Sequence, residues 1–217
     1  MAVIVPALGL AYFPVPKNAC STIKEALFAL NEGRPFEPFP LPDGRTGFIH
    51  DIPAYKSRVL SPQDLDATRG MRRIAVVRDP LRRLVSCYKN RVLHFRELAP
   101  DRADLAALAR HGVAPAPDFD TFIERLADYR AASPSIRHHS DPQTVFLGRE
   151  PAAFADIFRM EELPRLAALL GSLAGRPVEF GHLQRGGAEF PDPEIGPATR
   201  RRMLDFCAED LATWWQG

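Results

Sequence analysis

The chain has 217 residues, a length that suits one domain with a core of its own. Its 28 Lys and Arg residues almost balance its 27 Asp and Glu residues, so no overall field attracts nucleic acid or an anionic membrane. Nothing in the sequence approaches the roughly 20 uninterrupted apolar residues of a membrane span. Three cysteines without zinc-type spacing favour reduced thiols in a cytoplasmic protein.

The N-terminal segment predicts a strand, a loop and a helix in that order. Residues 1–16 are apolar but lack the basic start of a signal peptide, so we expect a core strand there. The apolar run at residues 10–15 is typical of a strand buried on both faces. A polar loop follows, Ser21 opens a helix, and the helical spacing of apolar residues ends at residues 31–33.

In the rest of the chain, predicted strands alternate with predicted helices. Residues 34–47 predict a loop, 48–50 a short strand, and 73–78 the clearest second core strand. Asp79 and Pro80 then supply a helix N-cap and a first-turn proline in the favoured order. Further helices are predicted at residues 103–111, 118–129, 162–174 and 197–215, and short strands at 144–147 and 157–160.

This alternation predicts an α/β fold, a three-layer α/β/α arrangement around a central parallel sheet. The sequence shows no repeat, low-complexity tract or linker, so we expect residues 1–217 to form one domain. In such a domain, ligands bind at the carboxyl ends of the strands.

The loop between the first strand and the first helix is a candidate anion site. Backbone N–H groups at a helix N-terminus and the positive end of the helix dipole favour an anion there. Lys17 adds a full charge, and Ser21 and Thr22 add hydroxyl donors in the first turn. The plainer interpretation is that Ser21 caps the helix and Lys17 is a solvated loop lysine.

A second candidate site follows the second core strand. Arg78 ends that strand, and guanidinium geometry suits bidentate binding of phosphate. Ser86 lies on the polar face of the next helix; the plainer interpretation is a solvated basic face made by Arg82, Arg83 and Lys89. Two separate anion sites imply a ligand with two separated phosphate-like groups, such as 3′-phosphoadenosine 5′-phosphosulfate (PAPS).

Four segments resemble motifs of one known family. Lys17-Asn-Ala-Cys-Ser-Thr22 resembles the 5′-phosphosulfate loop of PAPS-dependent sulfotransferases, and Arg78-Asp-Pro-Leu-Arg-Arg-Leu-Val-Ser86 resembles their 3′-phosphate motif. The similarity is greatest to the carbohydrate-type enzymes, which have many bacterial members. Arg137-His-His-Ser-Asp-Pro-Gln143 resembles their His-x-x-Pro-Gln element, and Phe158-Arg-Met-Glu-Glu-Leu163 resembles their Arg-Tyr-Glu-Asp-Leu segment.

The resemblance implies a P-loop NTPase-like sulfotransferase fold. It implies transfer of a sulfuryl group from PAPS to an acceptor hydroxyl on a carbohydrate, with 3′-phosphoadenosine 5′-phosphate (PAP) as product, no metal and a bacterial source. No motif bears on the oligomeric state. Lys17 would also act in catalysis, by stabilising charge on the bridging oxygen. The residues assigned to the donor are Pro16, Lys17, Asn18, Ala19, Cys20, Ser21 and Thr22 at the 5′ end, with Arg78 and Ser86 at the 3′-phosphate.

Two assignments carry alternatives. Arg185, in an Arg-Gly-Gly stretch, is a further candidate contact of the 3′-phosphate, unless residues 185–187 form an ordinary turn. The catalytic base is assigned to His139, the histidine of the His-x-x-Pro-Gln element, since imidazole titrates near neutrality. If this segment is extended, His138 faces the opposite side. His50, after a short apolar run, and Glu25, one turn into the first helix, are the alternatives for the base.

One departure from the family pattern and two other functions bear on this interpretation. Asn18-Ala-Cys20 replaces the commoner Thr-Gly-Gly, which leaves the loop less freedom to take positive φ. A P-loop kinase using ATP and Mg²⁺ would place its lysine after a glycine pair, which residues 11–24 lack, and would need an acidic residue ending a core strand. A noncatalytic PAP-binding module would keep the fold without the base.

Overall fold

The computed structural model describes residues 2–181 and 189–216, so Arg185 of the predicted site lies outside the described residues. The chain divides into two compact units. The first comprises residues 1–78 and 143–184, and the second comprises residues 79–142 and 185–217. Every strand of the described residues belongs to the first unit. The first unit is therefore α/β, and the described part of the second is helical.

The strands of the described residues form two sheets. In chain order they are β1 (Val3–Val5), β2 (Leu10–Phe13), β3 (Phe39–Pro40), β4 (Thr46–Gly47), β5 (Arg72–Val77) and β6 (Asp156–Arg159). The central sheet has the order β1-β2-β5-β6, and β3 pairs separately with β4. β2, β5 and β6 run parallel, whereas β1 is antiparallel to β2. The protein is thus a mixed α/β structure whose central sheet is mostly, rather than wholly, parallel.

The antiparallel edge strand arises because the N-terminal apolar segment is broken in two. Pro6 begins a 3₁₀ turn, Pro6–Leu8, and Gly9 closes it with a φ of 57°. Glycine reaches that φ without the Cβ clash that other residues meet. The turn reverses the chain and places Val3 opposite Tyr12. The single strand expected over residues 1–16 is therefore two strands.

The helices are mostly short. In chain order the α-helices are α1 (Cys20–Glu32), α2 (Pro62–Ala67), α3 (Pro80–Cys87), α4 (Leu105–Arg110), α5 (Phe119–Glu124), α6 (Leu126–Ala132), α7 (Pro134–Ser140), α8 (Gln143–Leu147), α9 (Leu163–Ala174) and α10 (Pro197–Trp214). A π-helix, Tyr88–His94, continues α3. In the described part of the chain, no helix is long and apolar enough to cross a membrane.

The core of the first unit lies between the central sheet and two helices. α1 and α9 contribute buried apolar side chains to one cluster with alternate residues of the strands. The strand residues of this cluster are Val3, Val5, Leu10, Tyr12, Ile74, Val76 and Phe158. All four residues of β2 are buried, which confirms the prediction of a strand covered on both faces. On the other face, the Phe13 ring packs edge-on against Phe154 at 5.2 Å.

The second unit has a separate core built by helices alone in its described part. Its cluster includes Leu84, Phe122, Tyr129 and Met203. Asp79 caps α3 by accepting from the backbone N–H groups of Leu81 and Arg82 at 2.8 and 3.0 Å, as predicted. Arg83, which the plainer interpretation placed on a solvated face, is 2% exposed. Its guanidinium donates to the backbone oxygen of Asp141, so that part of the interpretation is wrong.

Three predicted elements differ in the structure. Residues 144–147, expected as a strand, lie in α8. Residues 48–50, also expected as a strand, run into the 3₁₀ turn Ile49–Asp51 that follows β4. The helix expected over residues 118–129 is divided into α5 and α6 at Arg125. In the first two cases the reason is that periodicity cannot distinguish a short apolar strand from a helical turn.

Candidate active site

The candidate site for the 5′ anion is the loop at residues 14–19, between β2 and α1. The helix begins at Cys20, one residue before the predicted start, and its N-cap residue is Ala19. No side chain caps this end, so the interpretation of Ser21 as a capping residue is wrong. α1 has 13 residues, and its first N–H groups have no partner within the helix. This end therefore offers donors together with the positive end of a helix dipole.

Two residues of the loop adopt left-handed backbone conformations. Lys17 has a φ of 72° and Ala19 a φ of 56°. The absence of glycine from residues 18–20 reduces the freedom of the loop to take positive φ, yet Ala19 takes it. Each left-handed residue with a Cβ costs about 1–2 kcal/mol. Such strain persists only where surrounding contacts hold it.

A network around Asn18 supplies those contacts. Asn18 is fully buried, and its Nδ2 donates to the backbone oxygen of Val76 at 2.9 Å and to Oε1 of Gln143 at 2.7 Å. The Gln143 amide also binds the main chain of Arg78, accepting from its N–H and donating to its oxygen, both at 3.0 Å. Arg78 Nη1 in turn donates to the backbone oxygen of Lys17 at 3.0 Å. The network joins the carboxyl ends of β2 and β5.

A second set of side chains links α1 to the segment that follows β4. Ser21 Oγ is 2.7 Å from Nε2 of His50. Lys24 Nζ is 3.1 Å from Nδ1 of the same ring and donates to Ser57 Oγ at 2.9 Å. We call Ser21, Lys24, His50 and Ser57 the Lys24 cluster. It joins the first turns of α1 to the segment that follows β4.

Lys24 is the charged member of this cluster and is 0% exposed. Burial lowers the pKa of its ammonium group below the usual value, and the thiol of Cys20 opposes that shift. Within residues 2–181 and 189–216, no carboxylate pairs with Lys24. A buried cation without a carboxylate is unfavourable, so its pKa falls, and the negative charge of a ligand beside it would offset that cost.

The partners of His50 determine where its proton lies. While Lys24 is protonated, its ammonium group has donors and no acceptor, so Nδ1 of His50 accepts from Lys24. A neutral imidazole carries its one proton on the other nitrogen, so Nε2 donates to Ser21 Oγ. The Ser21 hydroxyl keeps its own proton for a further acceptor. This geometry makes His50 a hydrogen-bond donor toward the loop.

The other predicted residues of α1 lie around the cluster. Glu25 is half-buried one turn after Ser21, and burial raises the pKa of its carboxyl group. Cys20 and Thr22 are buried, at 8% and 6% exposure, as is Pro16 in the preceding loop.

Ser86 and His139 belong to the second unit. Ser86 is half-buried in α3. His138 and His139 lie in α7, so the expectation of an extended segment with opposite-facing neighbours is wrong. Residues adjacent in a helix are about 100° apart around its axis. Pro134 at the first turn and a Ser133 cap that accepts from the Ile136 N–H favour helix here.

The ring of His139 is held by its own helix. Its Nδ1 lies 2.8 Å from the backbone oxygen of Ser135. A carbonyl oxygen only accepts, so Nδ1 carries the proton and Nε2 of the neutral ring carries the lone pair. His139 therefore presents the form of imidazole that a general base requires, opposite to the form of His50.

Sequence reasoning missed Lys24, Ser57 and the structural part played by Gln143. For Lys24 a signal was present, since it stands four residues after Cys20 and four before Phe28, within the buried stripe of α1. A lysine at a buried stripe position calls for a partner. No local pattern marks Ser57. Gln143 was noted only as part of a motif, and its contact with Asn18 spans 125 positions.

Within the described residues, no group of three or more His, Cys, Asp or Glu side chains is arranged to hold a metal ion.

Comparison with known proteins identifies the family. Neither a curated protein nor a solved structure matches the chain significantly. The model of the sulfotransferase family matches residues 1–199. Because that match covers most of the chain, the protein belongs to the sulfotransferase family and is similar to its family 2 members.

Proposed function

We propose that this protein transfers a sulfuryl group from PAPS to a hydroxyl group of a carbohydrate acceptor and releases PAP. The observation that carries the proposal is the contact between the two predicted donor segments. Arg78, from the second segment, donates to the backbone oxygen of Lys17 in the first, at 3.0 Å. A guanidinium beside a lysine-bearing helix N-terminus suits a ligand with two anionic ends.

The residues at the loop fit the 5′ end of such a donor. Lys17 is partly exposed and lies in the loop that precedes the uncapped end of α1, where the helix dipole favours an anion. The Ser21 hydroxyl already accepts from His50, so its proton can be donated to an anion. Thr22 and the loop amides of residues 16–20 are the further candidate donors. For the 3′-phosphate we propose Arg78 and Ser86, with Arg185 as a third contact.

Transfer forms a bond between the acceptor oxygen and sulfur and breaks the bond between sulfur and the oxygen bridging to the 5′-phosphate. That oxygen leaves on PAP with the electron pair, and the acceptor proton passes to a base. Lys17 acts on the leaving side, where negative charge grows as the bond breaks. A residue that stabilises only this growing charge accelerates turnover more than it tightens binding.

We propose His139 as the base. Its Nδ1 is committed to the Ser135 carbonyl, so Nε2 of the neutral ring has the lone pair that proton abstraction needs. His50 is the first alternative, but its Nε2 proton is directed to Ser21 while Lys24 is charged. Glu25 is the second alternative, since a carboxyl group whose pKa is raised by burial is a better base than an ordinary one.

The proposal also covers the arrangement of layers, the domain organisation and the cellular location. We propose a P-loop NTPase-like arrangement of layers and a single sulfotransferase domain, because the family match runs through both units. The three cysteines are buried free thiols, which supports a reducing, cytoplasmic location. We propose a bacterial source from the resemblance of the motifs alone.

Ligand-dependent stabilisation tests the donor. At about 100 times its Kd, a ligand adds about 2.7 kcal/mol to the free energy of unfolding, so PAP should raise Tm clearly. AMP, which lacks the 3′-phosphate, should do little. Stabilisation by ATP–Mg²⁺ without stabilisation by PAP would instead support the kinase alternative and refute this proposal.

Transfer of ³⁵S from labelled PAPS to a panel of carbohydrate acceptors tests catalysis. Labelled, sulfated carbohydrate is the expected product. Binding of PAP with no transfer to any acceptor would favour the noncatalytic PAP-binding module. Transfer to small alcohols but to no carbohydrate would keep the reaction and overturn the acceptor class.

A further inference from the structure

A buried cation lies one turn into α1, below the loop that carries Lys17. Lys24 is 0% exposed, and its hydrogen-bond partners are the neutral groups of His50 and Ser57. Cys20 on the same helix is the titratable group that acts on it electrostatically, and Tyr12 of β2 in turn faces Cys20. No carboxylate in the described part of the chain offsets the Lys24 charge. The site thus lacks a negative charge that a ligand can bring.

Hydrogen bonds connect this cation to the helix N-terminus. Lys24 donates to Nδ1 of His50, which directs the Nε2 proton to Ser21 Oγ. Ser21 stands in the first turn of α1, where the helix dipole already favours an anion. The positive charge of Lys24 therefore polarises the Ser21 hydroxyl without Lys24 itself reaching the surface.

We infer that Lys24 is a positioning residue for the 5′ anion of the donor. It holds His50 as a hydrogen-bond donor to Ser21, so that the Ser21 hydroxyl donates to the anion, and the anion supplies the missing counter-charge. This inference rests on the proposed function and assigns Lys24, His50 and Ser21 to donor binding as one unit. It follows that the cluster is costly in the free protein and favourable in the complex.

Lys24→Met tests this trade-off because it keeps the length of the side chain and removes its charge. We expect Tm of the free variant to be equal to or higher than that of the wild type, since an unpaired buried charge is gone. Its Kd for PAP should rise about tenfold, the scale of one charge-assisted hydrogen bond. The control is Lys56→Met, which removes an exposed lysine and should change neither quantity.

Proton uptake supplies a second readout that a merely structural lysine would not affect. Burial lowers the pKa of Lys24 in the free protein, and a nearby anion raises it again. Between those two pKa values, binding must take up protons. Calorimetry of PAP binding in buffers of different ionisation enthalpy, repeated over a series of pH values above the phosphate ionisation near 6, should show uptake in the range between the two pKa values. Lys24→Met should abolish it, and Lys56→Met, at an exposed lysine, should retain it.

A double-mutant cycle tests whether Lys24 acts through Ser21. Ser21→Ala should also raise the Kd for PAP about tenfold. If the two residues act as one unit, the double variant should lose about tenfold to twentyfold rather than the hundredfold of independent sites. Additive losses would overturn the relay, and so would a double variant with wild-type affinity.

The outcomes separate this inference from the proposed function. If the wild type binds PAP while Lys24→Met lowers Tm, keeps the wild-type Kd and keeps proton uptake, Lys24 is structural and the inference is wrong. If the wild type itself does not bind PAP, the proposed donor is wrong. A folded Lys24→Met with weaker binding and no uptake supports both.

Discussion

Two histidine-bearing regions of this protein hold their imidazoles in opposite forms. In the Lys24 cluster, an ammonium group occupies Nδ1 of His50, so the proton of the neutral ring lies on Nε2 and is donated to Ser21. In α7, the backbone oxygen of Ser135 occupies Nδ1 of His139, so the lone pair lies on Nε2. The first ring is a donor in the α/β unit, and the second is an acceptor in the helical unit.

The difference shows that the type of the neighbouring group, rather than the histidine, decides the role. A donor at Nδ1 makes Nε2 a donor, and an acceptor at Nδ1 makes Nε2 a base. An imidazole that donates suits the holding of an anion, whereas one that accepts suits removal of a proton from a hydroxyl. We therefore expect substitutions in α7 to lower turnover and substitutions in the Lys24 cluster to weaken donor binding.

The largest expected effect is that of His139→Ala. Turnover should fall roughly 10²–10⁴-fold, the usual contribution of a positioned acid–base group, while the Kd for PAP stays within a few-fold because the residue serves the acceptor. Steady-state kinetics and PAP calorimetry measure the two quantities. His138→Ala is the comparison variant and should have a smaller effect, because it leaves the contact between His139 and Ser135 in place and removes only a ring that packs edge-on against His139 at 5.1 Å. If His139→Ala retains activity while His50→Ala or Glu25→Gln loses it, the base is the residue whose substitution abolishes turnover and not His139.

Lys17→Ala tests the donor side of the comparison at the loop itself. Turnover should fall by roughly two to three orders of magnitude, the scale of losing one strong electrostatic donor in the transition state. The change in donor KM should be smaller, since the partner charge grows only as the bond breaks. Lys56→Ala, at an exposed lysine, is the control. Near-normal turnover with a raised KM would make Lys17 a binding residue alone.

His50→Ala should give a smaller effect of a different kind. The Kd for PAP should rise about tenfold because Ser21 loses the donor that orients it. The acidic limb of the pH–rate profile, which we assign to His139, should stay where it is in the wild type. Measuring kcat against pH for both histidine variants separates the roles. A loss of that limb in His50→Ala would show that His50 is the base.

The smallest expected effect concerns the strained loop. Ala19 adopts a φ of 56°, so Ala19→Gly should relieve up to about 1 kcal/mol of backbone strain. For a chain of this length, that corresponds to a rise in Tm of about 2–4 °C. Thermal denaturation without ligand measures it, and Ala26→Gly within α1 should instead lower Tm. An unchanged or lower Tm for Ala19→Gly would show that the methyl group's packing outweighs the strain.

The sequence predicted much of the α/β unit and the first cap of the helical unit because the signals at these places are local. The buried strand before Lys17, the helix that follows it and the Asp79 cap all depend on residues that are near neighbours in the chain. Prediction failed for short apolar runs, where strand and helix share one pattern. It also failed at α7, where an assumed extended segment led to a wrong argument about the directions of His138 and His139.

The sequence by itself determined which charged and hydroxyl groups follow the core strands, because strand ends and helix starts are set by local patterning. Only the tertiary structure decided what those groups contact. Ser21 meets His50 across 29 positions, and Asn18 meets Gln143 across 125. Such contacts determine the protonated nitrogen of each imidazole and the backbone strain at Lys17, and both depend on neighbours that no local periodicity specifies.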